Sequence, residues 1–189
     1  MIYYHMKEPA VTVLGPGTRY VLWVQGCHKS CPGCIAPNSR NMQEGKTIKP
    51  SALAWEIALS HADGLTISGG EPFLQSEALA DMLDILQPIR NMGVIVFTGY
   101  TYEELLTMPS AQKLLSRIDL LIDGEYIQEL NDHRGLRGSR NQRYICLTDR
   151  YKEDVSALEN CQREQQVFHH GIEIHYVGIP GSKGDYDPI

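Results

Sequence analysis

The 189-residue chain has no excess of basic residues: 17 Lys+Arg stand against 23 Asp+Glu, for a formal net charge of −6. That balance argues against binding nucleic acid through phosphate neutralisation. Long apolar runs are also missing. The longest, such as Tyr20 to Val24 and Leu120 to Ile122, fall far below the about 18 residues that a bilayer span requires. Met1 to Ala10 contains His5, Lys7 and Glu8 but no apolar core of the kind a secretory signal needs. No internal repeat and no low-complexity tract occurs, and the 17 Gly and 10 Pro are scattered, so disordered and fibrous classes are excluded. The expectation is one domain over residues 1–180, a loose tail over 181–189, no membrane contact, and a cytoplasmic location where thiols stay reduced.

Cysteine is present, five in all, but not as a framework. A chain of this size buries roughly 70% of its unfolded surface and needs no covalent staples. Three of the five lie between Cys27 and Cys34, which in a reducing compartment points to metal binding or redox chemistry. Cys146 and Cys161 are isolated and read as small buried hydrophobes.

Short β-rich runs alternate with longer helical ones. Strands are expected at Tyr20–Val24, Gly64–Ser68, Val94–Phe97, Ile118–Ile122 and Ile172–Val177. Helices are expected at Ser51–Ser60, Gln75–Met92, Tyr102–Leu106, Ser110–Ser116 and Val155–Gln166. In Gln75–Met92 an apolar stripe runs through Leu79, Met82, Leu83, Leu86 and Ile89, and Gly93 follows. Strands joined through helices call for βαβ crossovers and a parallel sheet, hence an α/β class. A closed eight-unit barrel takes about 250 residues, so an open, partial β/α barrel of about five or six units fits better. In such a fold chemistry sits at the C-terminal ends of the strands. Gly26–Cys34 and Gly69–Pro72 each follow a predicted strand directly, and both would face one mouth.

Cys27, Cys31 and Cys34 give the spacing C-x3-C-x2-C. Three thiolates on one loop can ligate three irons of a cubane cluster and leave the fourth iron open. A structural zinc site would want four protein ligands, and His28, adjacent to Cys27, is poorly placed to be the fourth. Cys31-Pro32-Gly33-Cys34 by itself also has the form of a thioredoxin-like redox pair, but that motif carries no third cysteine. In Ser68-Gly69-Gly70-Glu71-Pro72 the glycines allow close backbone approach to a ligand, and Glu71 offers a carboxylate to an ammonium group. An electron carrier has no need for such an edge.

Taken together, these two motifs resemble the radical S-adenosylmethionine superfamily. In order along the chain, Gly15-Pro16-Gly17-Thr18-Arg19, Cys31-Pro32-Gly33-Cys34, Thr98-Gly99-Tyr100 with Glu103-Glu104-Leu105, Asp123-Gly124 with Gln128-Glu129-Leu130, and Arg137-Gly138-Ser139 with Asn141-Gln142 resemble the family that activates anaerobic ribonucleotide reductase. The resemblance spans residues 10–143. It implies a [4Fe-4S] cluster on Cys27, Cys31 and Cys34, with S-adenosylmethionine held by Ser68, Gly69, Gly70 and Glu71 at its methionine end. It places Gly33 where many superfamily members carry an adenine-sheltering aromatic, and Thr98 and Asp123 near the ribose or in support of the site. It further implies an oxidoreductase that makes a 5′-deoxyadenosyl radical, with a glycyl-radical reductase as partner and a low-potential electron donor such as flavodoxin or ferredoxin. A radical enzyme acting on another glycyl-radical enzyme, a peptide or a small molecule is the alternative.

The chain departs from that family's pattern at Leu14, at Asn38-Ser39-Arg40, and at Glu125, where a lysine is usual. Residues from Arg143 onward extend past the shorter activases, with a helix and a strand expected to complete the sheet. His169, His170 and His175 lack convergent partners at ligand spacing. The cluster Arg134, Arg137, Arg140 and Arg143 reads as a solvated loop.

Overall fold

The computed structural model describes residues 1–181, so the tail expected at 181–189 lies, apart from Gly181, outside the described residues. Nine strands are present among them: β1 (Ile2–Val11), β2 (Arg19–Val24), β3 (Lys46–Ile48), β4 (Gly64–Gly69), β5 (Gly93–Phe97), β6 (Leu120–Asp123), β7 (Arg143–Cys146), β8 (Gln165–His170) and β9 (Glu173–Gly178). The helices are α1 (Pro50–Leu59), α2 (Ser76–Ile89), α3 (Tyr102–Thr107), α4 (Pro109–Leu115) and α5 (Val155–Asn160).

Seven strands form one sheet in the order β3-β1-β2-β4-β5-β6-β7. The sheet is mixed, which corrects the wholly parallel expectation. Only β2, β4, β5 and β6 pair parallel with one another, while β1, β3 and β7 pair antiparallel at the flanks. The parallel four are the strands that helices connect, as parallel pairing requires. They are buried along nearly their whole length, and so read in the sequence as continuous apolar runs.

Alternation along those strands divides the core in two. Tyr20, Leu22, Val24, Leu65, Ile67, Val94, Val96 and Leu121 pack with α1, α2 and α4 on one face. Val21, Trp23, Ile95, Leu120 and Ile122 pack on the other with Leu14, Leu136, Leu158, Val177 and Ile179. The helical face is ordinary amphipathic packing: Leu79, Met82, Leu83 and Leu86 of α2 are fully buried, whereas Ile89 at the end of the expected stripe is 40% exposed. At the start of α3, Thr101 and Glu104 satisfy each other's backbone amides in a capping box. Pro109 opens α4 at its first position.

The region after β7 departs from expectation. Helix α5 stops at Asn160, short of the expected Gln166, and Gln165–His170 is strand β8 paired antiparallel with β9. This hairpin forms a sheet of its own. The main sheet is extended by β7 instead, and the hairpin lies against the second face through Val177 and Phe168. No helix among the described residues is long and apolar enough to cross a membrane.

Candidate metal and cofactor site

The loop that carries the three cysteines leaves the C-terminal end of β2 and is closed on itself by main-chain bonds. Gly26 N donates to Ser39 O at 2.8 Å and Cys27 N to Arg40 O at 3.0 Å. The Gln25 side-chain amide donates to the carbonyls of Asn38 and Asn41 at 3.1 and 2.9 Å. Ser39, fully buried, caps the short 3-10 turn within the loop by donating to Ala36 O. Cys34 N turns back to Cys31 O at 3.3 Å around Gly33, whose φ of +69° suits glycine. Cys27, Cys31 and Cys34 form no disulfide, and each is half-buried.

The turn after β4 is bonded directly to this loop. β4 runs parallel to β2 with Gly69 opposite Val24. Gly70 N then donates to Val24 O and Glu71 N to Gly26 O, both at 2.8 Å. There is no room for a side chain here: a Cβ on Gly70 would sit 2.2 Å from the Gly26 carbonyl oxygen and 2.9 Å from that of Ser39. The glycines thus allow the two motifs to share one backbone junction.

Glu71 is buried and anchored at both carboxylate oxygens. Its Oε1 accepts from Phe73 N at 3.0 Å and from Thr98 Oγ1 at 2.8 Å, and its Oε2 accepts from Gly99 N at 2.8 Å. Burial pushes its pKa up, against those three hydrogen bonds and the nearby Lys29 charge, which favour the ionised form. Lys29 also meets Glu125 at 3.5 Å and lies over the Tyr100 ring. Glu125 accepts from the Cys31 thiol at 3.5 Å. Burial, with Glu125 as a second cause, pushes the Cys31 pKa up to about 11, and burial raises that of Cys27.

Cys27, Cys31, Cys34, Ser68, Gly69, Gly70, Glu71 and Thr98 all line one cleft of about 1000 Å³, its open mouth included. Two residues expected at the site do not. Gly33 lies beside Gln128 and Tyr126. Asp123 is fully buried, and its carboxylate accepts from Tyr102 N at 2.7 Å and from Arg143 Nε and Nη2 at 3.0 and 2.5 Å. Arg143 reaches on to Glu103, so this arginine is a tie between β6, β7 and α3 rather than a solvated loop residue.

Sequence reasoning did not mark the walls of the cleft. Trp23, Phe97, Leu14, Ile35 and Tyr126 line it, and Gly178 and Ile179 come from the end of the hairpin. Trp23 and Phe97 could have been found by alternation, since both lie near the C-terminal ends of parallel strands on the non-helical face. Arg40 lines the cleft as well, and its buried Nε has no hydrogen-bond partner.

The donor set fits an iron–sulfur cluster. Three soft thiols on one loop share a cleft, while His28, which the sequence offers as a fourth zinc ligand, has its Nε2 3.2 Å from the Tyr100 hydroxyl and its ring against that of Tyr100. Comparison with known proteins agrees. Residues 13–145 match the 4Fe-4S single cluster domain family. The anaerobic ribonucleoside-triphosphate reductase-activating protein of Salmonella typhi is 33% identical over 149 residues, covering 74% of this chain and 95% of that protein. The chain belongs to this family of activating proteins. The protein of the same name from Escherichia coli K12 is 33% identical over 152 residues, and that of Enterobacteria phage T4 is 32% identical over 154, covering 74% and 77% of this chain and 95% of each relative. The family match ends just before Cys146, so α5 and the hairpin lie beyond it.

Proposed function

We propose that this protein is a radical S-adenosylmethionine activase that generates a glycyl radical on an anaerobic ribonucleotide reductase. The observation that carries the reading is the shared junction of the cysteine loop and the Gly69–Glu71 turn, which sets three thiols and an anchored carboxylate around one cleft. Cys27, Cys31 and Cys34 would hold the [4Fe-4S] cluster, and Ser68, Gly69, Gly70 and Glu71 the methionine end of the substrate. When bound, the reduced cluster would supply the one electron that cleaves the sulfonium into methionine and a 5′-deoxyadenosyl radical, which would take a hydrogen atom from a glycine of the partner and leave as 5′-deoxyadenosine.

The protein's own residues bind, orient and exclude. Glu71, fixed by Phe73 N, Gly99 N and Thr98, presents a preorganised negative charge to an ammonium group. Gly69 and Gly70 line the cleft, and their lack of side chains lets the turn pack directly on the backbone of β2 and of the cysteine loop. Trp23, Phe97, Leu14 and Ile179 give it an apolar, water-excluding wall. Tyr126, also on the wall, supplies the flat surface for a purine that Gly33 lacks. Asp123 acts from behind the site by fixing β6 against Arg143 and Tyr102 N. The four parallel strands with their connecting helices would then be the core of the open, partial barrel of this enzyme class. The reaction draws on a low-potential donor such as flavodoxin or ferredoxin and belongs to an anaerobic cytoplasm.

A second reading keeps the radical chemistry and changes the partner. It is favoured by Gly178 and Ile179, which line the cleft from a hairpin outside the family match, and by Glu125 beside Cys31.

The test is chemical. The anaerobically reconstituted, reduced protein is given S-adenosylmethionine with and without the reductase from the same source, and 5′-deoxyadenosine and methionine are quantified. Equal yields of both, lost in Cys31→Ala, support the reading. An intact cluster that cleaves nothing removes it.

A further inference from the structure

The C-terminal hairpin is fastened to the opposite end of the chain. The Gln166 side chain of β8 accepts from Thr12 N at 2.9 Å and donates to Ala10 O at 3.1 Å, holding the hairpin at the end of β1. A second attachment uses chemistry that a simple fastening does not need. His170 Nε2 lies 2.7 Å from Oε2 of Glu8 on β1, and Glu8 is a buried carboxylate, 3% exposed. His175 of β9 lies beside them, its ring centroid 5.0 Å from that of His170. Its Nδ1 is buried with no hydrogen-bond partner, while its Nε2 lies 3.5 Å from the Glu173 carboxylate. One donor atom from each of Glu8, His170 and His175 falls within 4.8 Å of the others.

We propose that Glu8, His170 and His175 bind a divalent first-row transition-metal ion, zinc by preference, which clasps the C-terminal hairpin to the first strand. Two imidazoles and one carboxylate are a zinc donor set, with the fourth position left for water. Calcium and magnesium want oxygen ligands throughout, and without a thiolate the site does not select soft copper(I). Tetrahedral zinc at about 2.0–2.1 Å from each ligand would hold the donor atoms about 3.3 Å apart. Small side-chain rotations reach that from the distances present. With His175 ligating through its orphaned Nδ1, that atom gains a partner in the ion, and Glu173, 3.5 Å from Nε2, stands where a carboxylate orients a metal-binding imidazole through its other ring nitrogen.

The site is separate from the cysteine loop but bears on the cleft. Gly178 and Ile179, at and just after the end of β9, form part of the cleft wall. Fixing the hairpin therefore fixes that wall. In the sequence the site is hidden, because the carboxylate that completes it lies 162 residues from His170.

The test uses the full chain with its cluster assembled, so that the three cysteines are occupied. After removal of adventitious metal, the protein is dialysed against Zn²⁺ under anaerobic conditions, bound zinc is counted, and the unfolding temperature is recorded with and without zinc. The proposal expects one zinc per chain and a higher unfolding temperature with it. His170→Ala and His175→Ala should each weaken zinc binding by at least about tenfold, with iron content and circular dichroism unchanged, and exposed His169→Ala should leave it intact. Glu8→Gln, of nearly the same size, decides the matter should a histidine variant misfold. Absence of zinc from the unmodified protein overturns the proposal, as does undiminished affinity in Glu8→Gln and the folded histidine variants.

Discussion

Thr98 Oγ1 donates a 2.8 Å hydrogen bond to Glu71 Oε1, joining the end of β5 to the turn after β4. Because the acceptor is a buried carboxylate, this bond is of the stronger kind, about 1.5–3 kcal/mol. Thr98→Val should therefore raise the KM for S-adenosylmethionine by about tenfold or more, while Thr98→Ser restores it. The bond also favours the ionised form of Glu71, whose pKa burial already raises. Its loss pushes that pKa further up, so the variant should lose binding at a higher pH than the unmodified protein as pH falls. Equal KM values and equal pH profiles would mean that Thr98 only caps the strand end.

Gly70 is the tightest point of the backbone junction. Gly70→Ala must displace the Gly26 carbonyl, 2.2 Å from the new methyl group, and with it the start of the cysteine loop. The protein should retain at least about twofold less cluster iron after reconstitution, since a clash against backbone cannot relax locally. Gly181→Ala, whose new methyl group meets nothing nearer than the Arg163 carbonyl at 3.6 Å, should reconstitute normally. Iron analysis of the two variants side by side makes the comparison.

Arg19 is 1% exposed and crosses the bottom of the sheet. It donates to Thr66 Oγ1, the Tyr151 hydroxyl, and the carbonyls of Leu65 and Gly93 at 3.1, 2.7, 2.6 and 3.0 Å. Replacing it by Met orphans several buried acceptors at once, and should cost about 3 kcal/mol or more in urea unfolding. Lysine should not rescue, because one ammonium cannot reproduce the guanidinium fork. Tyr151→Phe removes one bond and should cost about 1 kcal/mol. A Met variant as stable as the parent would show that these bonds only replace solvation.

Cys31 is a poor nucleophile in the cluster-free chain. Its thiol donates toward Glu125, and burial with that carboxylate lifts its pKa to about 11. Only the thiolate alkylates, so its iodoacetamide rate, followed by peptide mass spectrometry, should climb with pH until about 11. Glu125→Gln removes the like charge and should shift the profile to lower pH. An unchanged profile would leave burial as the whole cause.

The central strands were legible because β2, β4, β5 and β6 are buried on both sides and carry almost unbroken apolar runs. β1 and β3 were not, since they lie toward one edge and keep many exposed or half-exposed polar residues such as Lys7 and Lys46. The helix expected over Val155–Gln166 runs too far because Glu164, Gln165 and Gln166 suit a helix; pairing of Gln165 and Gln166 with β9 overrides that preference. In the site, Cys27, Cys31, Cys34 and Glu71 were carried by local motifs. Trp23, Arg40 and Tyr126 were not, because each reaches the cleft through a strand face or a returning loop. Asp123 looked like a ligand-facing strand end, but Arg143, 20 residues on, occupies it.

The central claim is that radical chemistry in this cleft is delivered to a glycine of a partner. Electron paramagnetic resonance tests it most directly, on the reduced, cluster-loaded protein incubated anaerobically with S-adenosylmethionine and the ribonucleotide reductase of the same source. The account predicts a glycyl doublet that is absent without S-adenosylmethionine and absent in Cys31→Ala. A loaded cluster that releases 5′-deoxyadenosine but raises no doublet on the reductase would contradict it.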